Sequence, residues 1–207
     1  MAAAVSTAPN RVSRMLPKIN DWMTQDMANK RVMLDLETLS TKSNACILSI
    51  GACFFNEETI GAEFYQPVWV LGQNTKYGRH VSEETVEWWS KQSEEARKVF
   101  HEPAVDLQQA LLSFRKWVYE NADGKKIEMW GNGADFDCVI LGNAYEAVGV
   151  EKPWSYGLNR CYRTLKNVVK LRPGFGIPER QGIHHNALAD AIYQAQCAAV
   201  YLRELSK

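Results

Sequence analysis

The segment Arg31–Thr38 reads Arg-Val-Met-Leu-Asp-Leu-Glu-Thr, an apolar run after a polar stretch, and it is predicted to be a buried strand. Side chains alternate faces along a strand, so Val32, Leu34 and Leu36 share one side while Asp35 and Glu37 share the other. A polar turn at residues 40–44 leads to a second strand over 46–55, and a third follows over 62–68. Connections this short suit an antiparallel meander, with Pro67 near a strand end where its missing donor does little harm. Ser82 is a good N-cap, and Glu83 and Glu84 favour the dipole of a helix reaching about residue 100. Its Val86, Trp89, Ala96 and Phe100 fall roughly along one stripe. A second helix starts near Pro103 and carries Leu107, Ala110, Leu111, Phe114 and Val118 at helical spacing.

Beyond it the pattern predicts a strand over 126–131 and a helix over 135–148, with Gly149 as its terminator. A short strand over 154–158 precedes an amphipathic helix over 159–171. At about 100° per residue, Arg160, Arg163, Lys166 and Lys170 share one face of that helix. A Pro/Gly/Arg-rich loop spans 172–184, and an Ala-rich helix closes the chain over 186–205. The succession is that of an α/β layer protein with a mixed sheet, one domain over 29–207 without internal repeats.

Composition narrows the reading. The 207 residues suffice for one domain with a full core, and 46% hydrophobic with 23% charged content is that of an ordinary globular protein. With 24 basic and 24 acidic side chains, no global field draws in a polyanion, so any polyanion partner must be held by local basic patches or bound metal. Cys46, Cys53, Cys138, Cys161 and Cys197 are odd in number and form no C-x-x-C pair. They read as free thiols in a reducing, cytoplasmic setting. No apolar run reaches transmembrane length, so no membrane partner is expected. Residues 1–28 lack a secretory apolar core and carry Arg11, Arg14 and Lys18 with no acid before Asp21. Organellar transit peptides share that pattern, but it is read here as a flexible or loosely docked tail.

Two carboxylates at the end of an apolar strand repel each other and lose hydration, unless a cation sits between them or one is protonated. A hard divalent ion with a preference for oxygen suits the pair, and so does plain exposure to water. Two later segments bear on the choice. Residues 130–137 form a strand end and glycine turn that deliver Asp135 and Asp137 at a helix start, where capping is the alternative explanation. Residues 183–191 place His184 and His185 just before a helix whose first turns carry Asp190 among Leu188, Ala189, Ala191 and Ile192.

Together, Asp35-x-Glu37, Phe136-Asp137 and His185-x4-Asp190 resemble the DEDDh group of 3′–5′ exonucleases in content, order and spacing. Within that group, residues 85–92 with Glu95-Ala96-Arg97, and Arg163-Thr164-Leu165, resemble the branch of phage exonuclease A and related bacterial exoribonucleases. The resemblance covers roughly residues 30–205 and implies an RNase H-like fold, a mixed sheet flanked by helices. It also implies two divalent ions, magnesium or manganese, with Asp35 bridging both. Glu37 and Asp190 would support the ion on the nucleophile side and Asp137 the other, while His185 takes the proton from the attacking water. The group has an asparagine four positions before the second-motif aspartate, whereas Gly133 fills that place here and Asn132 lies five before Asp137. Asp135 is therefore an alternative ligand, with Asp137 preferred because it follows Phe136. His184 is the alternative base, one residue further from Asp190.

The implied reaction releases 5′-mononucleotides from single-stranded 3′ ends. The phage-type resemblance leans toward DNA, with RNA or short oligoribonucleotides as the alternative. Thr38 is expected to touch the terminal nucleotide. Phe136 and Trp89 are either stacking platforms or core, and the face carrying Arg163 and Lys166 either guides the strand or is merely solvated. Members of the group are often homodimers, and the adjacent Trp88 and Trp89 read as core more readily than as interface. A non-catalytic binding domain on the same fold is the competing class, but it would be expected to lack one of the acids or the histidine.

Overall fold

The computed structural model describes residues 31–124, 126–171 and 178–206. The tail over 1–28 lies outside them. Five strands form one sheet: β1 (Arg31–Thr38), β2 (Ile47–Phe55), β3 (Ile60–Pro67), β4 (Glu128–Gly131) and β5 (Asn159–Cys161), in the order β3-β2-β1-β4-β5. The pairs β1–β2 and β2–β3 are antiparallel, as the short connections require, while β1–β4 and β4–β5 are parallel. Among the described residues seven α-helices accompany them: α1 (Gln73–Tyr77), α2 (Glu83–Ser90), α3 (Glu94–Arg97), α4 (Leu107–Asn121), α5 (Asp137–Val148), α6 (Tyr162–Val169) and α7 (Ala187–Leu205).

The alternation along β1 divides the core in two. Val32, Leu34 and Leu36 pack with Leu111 and Phe114 of α4 and Ile140 and Leu141 of α5. Met33, on the opposite face, joins Ala191, Ala195 and Ala198 of α7. Asp35 and Glu37 continue that second face, toward α7. Small residues on α7 let its backbone come close to the sheet, and at Gly51 of β2 the approach is extreme. A Cβ on Gly51 would lie 2.1 Å from the Ala187 carbonyl carbon and 2.2 Å from the Leu188 nitrogen. Gly51 sits opposite Asp35 in the β1–β2 register. The start of α7 is thus seated directly beside Asp35. Asn186 caps this helix, its Oδ1 accepting the Ala189 N–H at 3.0 Å.

Several predicted elements differ from those observed. The helix expected over 82–100 is broken into α2, α3 and a 3-10 turn at Lys98–Phe100, because the Ser93 hydroxyl accepts the Ala96 N–H and starts a new helix. Only Trp89 of α2 and Ala96 of α3 are buried, while Val86 and Phe100 are exposed. The α4 helix starts later than Pro103, where Asp106 accepts the Gln108 N–H at 2.9 Å, and its five predicted apolar positions are all buried. Gly149 ends α5 with φ 69°, in the left-handed region that suits glycine. The strand predicted over 154–158 is a 3-10 turn at Tyr156–Leu158. The following Asn159–Cys161, predicted helical, pairs instead with the open edge of β4. That strand takes Arg160 off the predicted basic helix face, and its guanidinium binds Glu128 at 2.9 Å. Residues 172–177 of the predicted loop lie outside the described residues.

The Gly51 contact is with main-chain atoms, which cannot swing aside. Gly51→Ala is expected to cost about 1–3 kcal/mol in urea unfolding, as overpacking does, and to abolish turnover. Wild-type stability in that variant would mean that α7 is not clamped there.

Candidate active site

Four carboxylates reach one cavity from three separate elements. Asp35 and Glu37 come from the end of β1, Asp137 from the first residue of α5, and Asp190 from the first turn of α7. They line a pocket of about 440 Å³ with His184, His185, Arg163, Lys166, Arg180 and Gln194. Asp137 is buried and accepts the Leu36 N–H at 3.2 Å, which ties the start of α5 to β1. Gly131 makes room for it, since a Cβ there would lie 2.9 Å from an Asp137 carboxylate oxygen. Asp135, the alternative ligand, is exposed and does not line the pocket.

Asp35 accepts a hydrogen bond from Gln194 Nε2 at 2.7 Å. Asp190 is held through both oxygens: Oδ2 accepts the His185 N–H at 3.0 Å, and Oδ1 pairs with the Arg180 guanidinium. His185 has φ 62°, a left-handed conformation uncommon outside glycine, and it is maintained next to that contact. The imidazole rests edge-on against Trp88, with ring centres 4.9 Å apart. Ligand-capable atoms of Glu37, His185 and Asp190 all lie within 4.8 Å of one another. His184 also faces the cavity but is exposed.

The electrostatics follow from crowding. Burial, then Asp137, Glu37 and Asp190 in turn, push the Asp35 carboxyl well above the usual range, against the opposing Gln194 hydrogen bond. Burial, with Asp190 and Asp137, raises Glu37 to about 8. Burial raises Asp137 to about 7, although backbone N–H groups, Leu36 first among them, pull it down. Burial lowers His185, helped by His184 and Arg180 and opposed by Asp190, so the neutral imidazole is favoured. Buried like-charged oxygens that share a cavity are suited to hard divalent cations, which supply the missing positive charge. The donor set fits such ions.

A second cavity of about 440 Å³ adjoins the first through Leu36, Glu37 and Phe136, and adds Thr38, Thr85, Trp88 and Trp89. Trp89 is buried and its Nε1 donates to the Thr38 carbonyl at 2.9 Å. Trp88, read from sequence as core, is instead 43% exposed. Thr38 itself is buried, with its hydroxyl donating to the Ser40 carbonyl at 2.8 Å. Arg163 and Lys166 project from α6 onto the rim of the acidic pocket. Three neighbours of the acids lie outside the site residues predicted from sequence. Gly51 is an isolated glycine in a strand, itself a signal of close backbone approach. Gln194 follows Asp190 by four, the spacing that shares a helix face. Arg180 carries no such signal, being one arginine in an irregular loop.

Known proteins place this architecture. The nuclease domain of 3′hExo, a DEDDh family member bound to rAMP, superposes with a TM-score of 0.55 at 14% identity, covering 86% of this chain and 93% of that one. The cell-death related nuclease CRN-4 gives 0.58 at 12% identity, covering 86% of this chain and 65% of its own. S. pombe Pop2p in its Mg²⁺- and Mn²⁺-bound form gives 0.54 at 14% identity, covering 90% and 88%. No curated protein sequence matches the chain. These solved structures share the RNase H-like fold of the chain, and the family model of the 3′–5′ exoribonuclease Rv2179c-like domain matches residues 30–202, so the chain belongs to that family and is a 3′–5′ exonuclease.

Proposed function

We propose that this chain removes 5′-mononucleotides from the 3′ ends of single-stranded nucleic acid, with two divalent ions, magnesium or manganese, held by Asp35, Glu37, Asp137 and Asp190. The observation that carries this reading is the convergence of four carboxylates, two buried and two half-buried, on one cavity with a histidine at its edge. Divalent ions held by these residues would offset the charge of the scissile phosphate and lower the pKa of a bound water, so that it can lose a proton and attack near neutral pH.

The protein's own groups account for the rest. Asp35 is oriented by Gln194, and Asp137 by the Leu36 N–H, so the acids keep their positions as substrate enters. His185, neutral because burial disfavours its charged form, offers a ring nitrogen to accept the proton of the attacking water. The Asp190 carboxylate, on the His185 N–H, fixes the backbone from which the imidazole hangs. The adjoining cavity suits the terminal nucleotide, with its base between the exposed face of Trp88 and the Phe136 ring, and its sugar toward Leu36 and Thr38. Arg163 and Lys166 on the rim suit the phosphates behind it.

The family description favours RNA, and 3′hExo is bound to rAMP. The phage-type resemblance of residues 85–97 favours DNA and is the second reading. The five cysteines are free thiols, which suits a reducing compartment. None of the helices among the described residues is long and apolar enough to cross a membrane.

Matched RNA and DNA oligonucleotides labelled at the 3′ end test the assignment directly. Mononucleotide release with Mg²⁺ or Mn²⁺, faster on RNA and stopped by chelator, is expected. Release that survives chelation contradicts the metal centre, and faster release from DNA reverses the substrate preference. His185→Ala is expected to lower kcat by about 10²–10⁴, the usual size of a general-base contribution, while Mn²⁺ affinity stays within a few-fold of wild type. Near-normal turnover in that variant would reassign the base, with His184 next in reach.

A further inference from the structure

Arg180 is held in a way that a surface ion pair would not explain. It lies on the segment entering α7, five residues before His185, and its side chain is 22% exposed. Its Nη2 pairs with Asp190 Oδ1, and its guanidinium lies over the Tyr193 ring at 5.1 Å. Its Nε is buried and has no hydrogen-bond partner among the described residues. A desolvated N–H with no acceptor is costly, unless a ligand supplies one. The guanidinium lines the same cavity as the four carboxylates.

The pair occupies a position that a metal ion needs. Both Asp190 oxygens are engaged, one by Arg180 and one by the His185 N–H. A divalent ion taking Oδ1 competes with the guanidinium for the same oxygen, and the two cations repel at that range. We propose that Arg180 is an exchangeable counter-ion: it neutralises Asp190 while no divalent ion is bound there, and on being displaced it binds the phosphate of the terminal nucleotide. The inference rests on the metal-centre reading above. Once divalent ions balance the acids, the guanidinium is surplus positive charge facing the cavity. Its fork, including the orphaned Nε, matches a phosphate in bidentate fashion. A fixed structural tie between loop and helix makes a different demand, since loosening it would disturb the site and weaken every ligand together.

Calorimetric titration of the full chain separates the two. Arg180→Gln is expected to bind Mn²⁺ about tenfold more tightly than wild type, and 5′-AMP in saturating Mn²⁺ about tenfold more weakly, each the size of one charge-assisted hydrogen bond. Arg180→Lys keeps the charge but loses the fork. It should bind Mn²⁺ like wild type and 5′-AMP more weakly, which tests the phosphate role even where the glutamine variant fails to fold. Unchanged or weaker Mn²⁺ binding in Arg180→Gln overturns the exchange, and wild-type 5′-AMP affinity in either variant overturns the phosphate contact. Asp190→Asn tests the underlying reading separately: it should lose Mn²⁺ affinity, and wild-type affinity there would count against the metal centre itself.

Discussion

Repulsion among buried carboxylates is the constraint to which the rest of this structure answers. Left to themselves, Asp35, Glu37, Asp137 and Asp190 would separate or hydrate. The fold prevents both. Asp35 and Glu37 are fixed by the central strand, which is hydrogen-bonded on both edges. Asp137 is held by the N–H of Leu36 and fits only because Gly131 has no side chain. Asp190 arrives with α7, whose first residues press against Gly51 too closely for any Cβ. Two hydrophobic layers, one on each face of β1, supply the free energy that keeps the acids together.

The surroundings of the acids reflect the same tension. Gln194 donates to Asp35 and Arg180 pairs with Asp190, so two of the acids are partly compensated by the protein itself. Asp137 is partly compensated too, by backbone N–H groups, and yet Asp35, Glu37 and Asp137 all keep elevated proton affinities. His185 sits at the edge of this field, in a left-handed backbone conformation and against the exposed Trp88. The acidic cavity and its aromatic neighbour are adjacent, and Phe136 forms a wall of both.

Much of this was legible in the sequence wherever it depends on local periodicity. The alternation through Val32, Leu34 and Leu36 placed Asp35 and Glu37 on a common face, and the apolar stripe of α4 was read in full. Phe136 singled out Asp137 over Asp135, and the structure places Asp137 in the pocket and Asp135 in solvent. What local pattern misread was decided by distant partners. Asn159–Cys161 has the polarity of a helix start and becomes a strand only because the β4 edge is open to it. The tryptophan-bearing helix ends early because one serine hydroxyl caps a new one. Gln194 meets an acid 159 positions away, and Arg180 meets Asp190 across an irregular turn, so neither partner was apparent without the fold.

The dependence of stability on pH tests the convergence of the four acids most directly. An acid that binds its proton more tightly when folded contributes stability that is fully present below its unfolded pKa and lost as pH rises through its folded one. For Glu37 that interval runs from 4.5 to about 8, and for Asp137 from 3.8 to about 7. Thermal unfolding of the chelated protein should therefore show a midpoint that falls steadily across this range, with saturating Mg²⁺ restoring more of it at the upper end than at the lower. A midpoint that stays level from pH 5 to pH 8 in chelator, and that Mg²⁺ leaves unmoved, would contradict the convergence of these acids on a cation site.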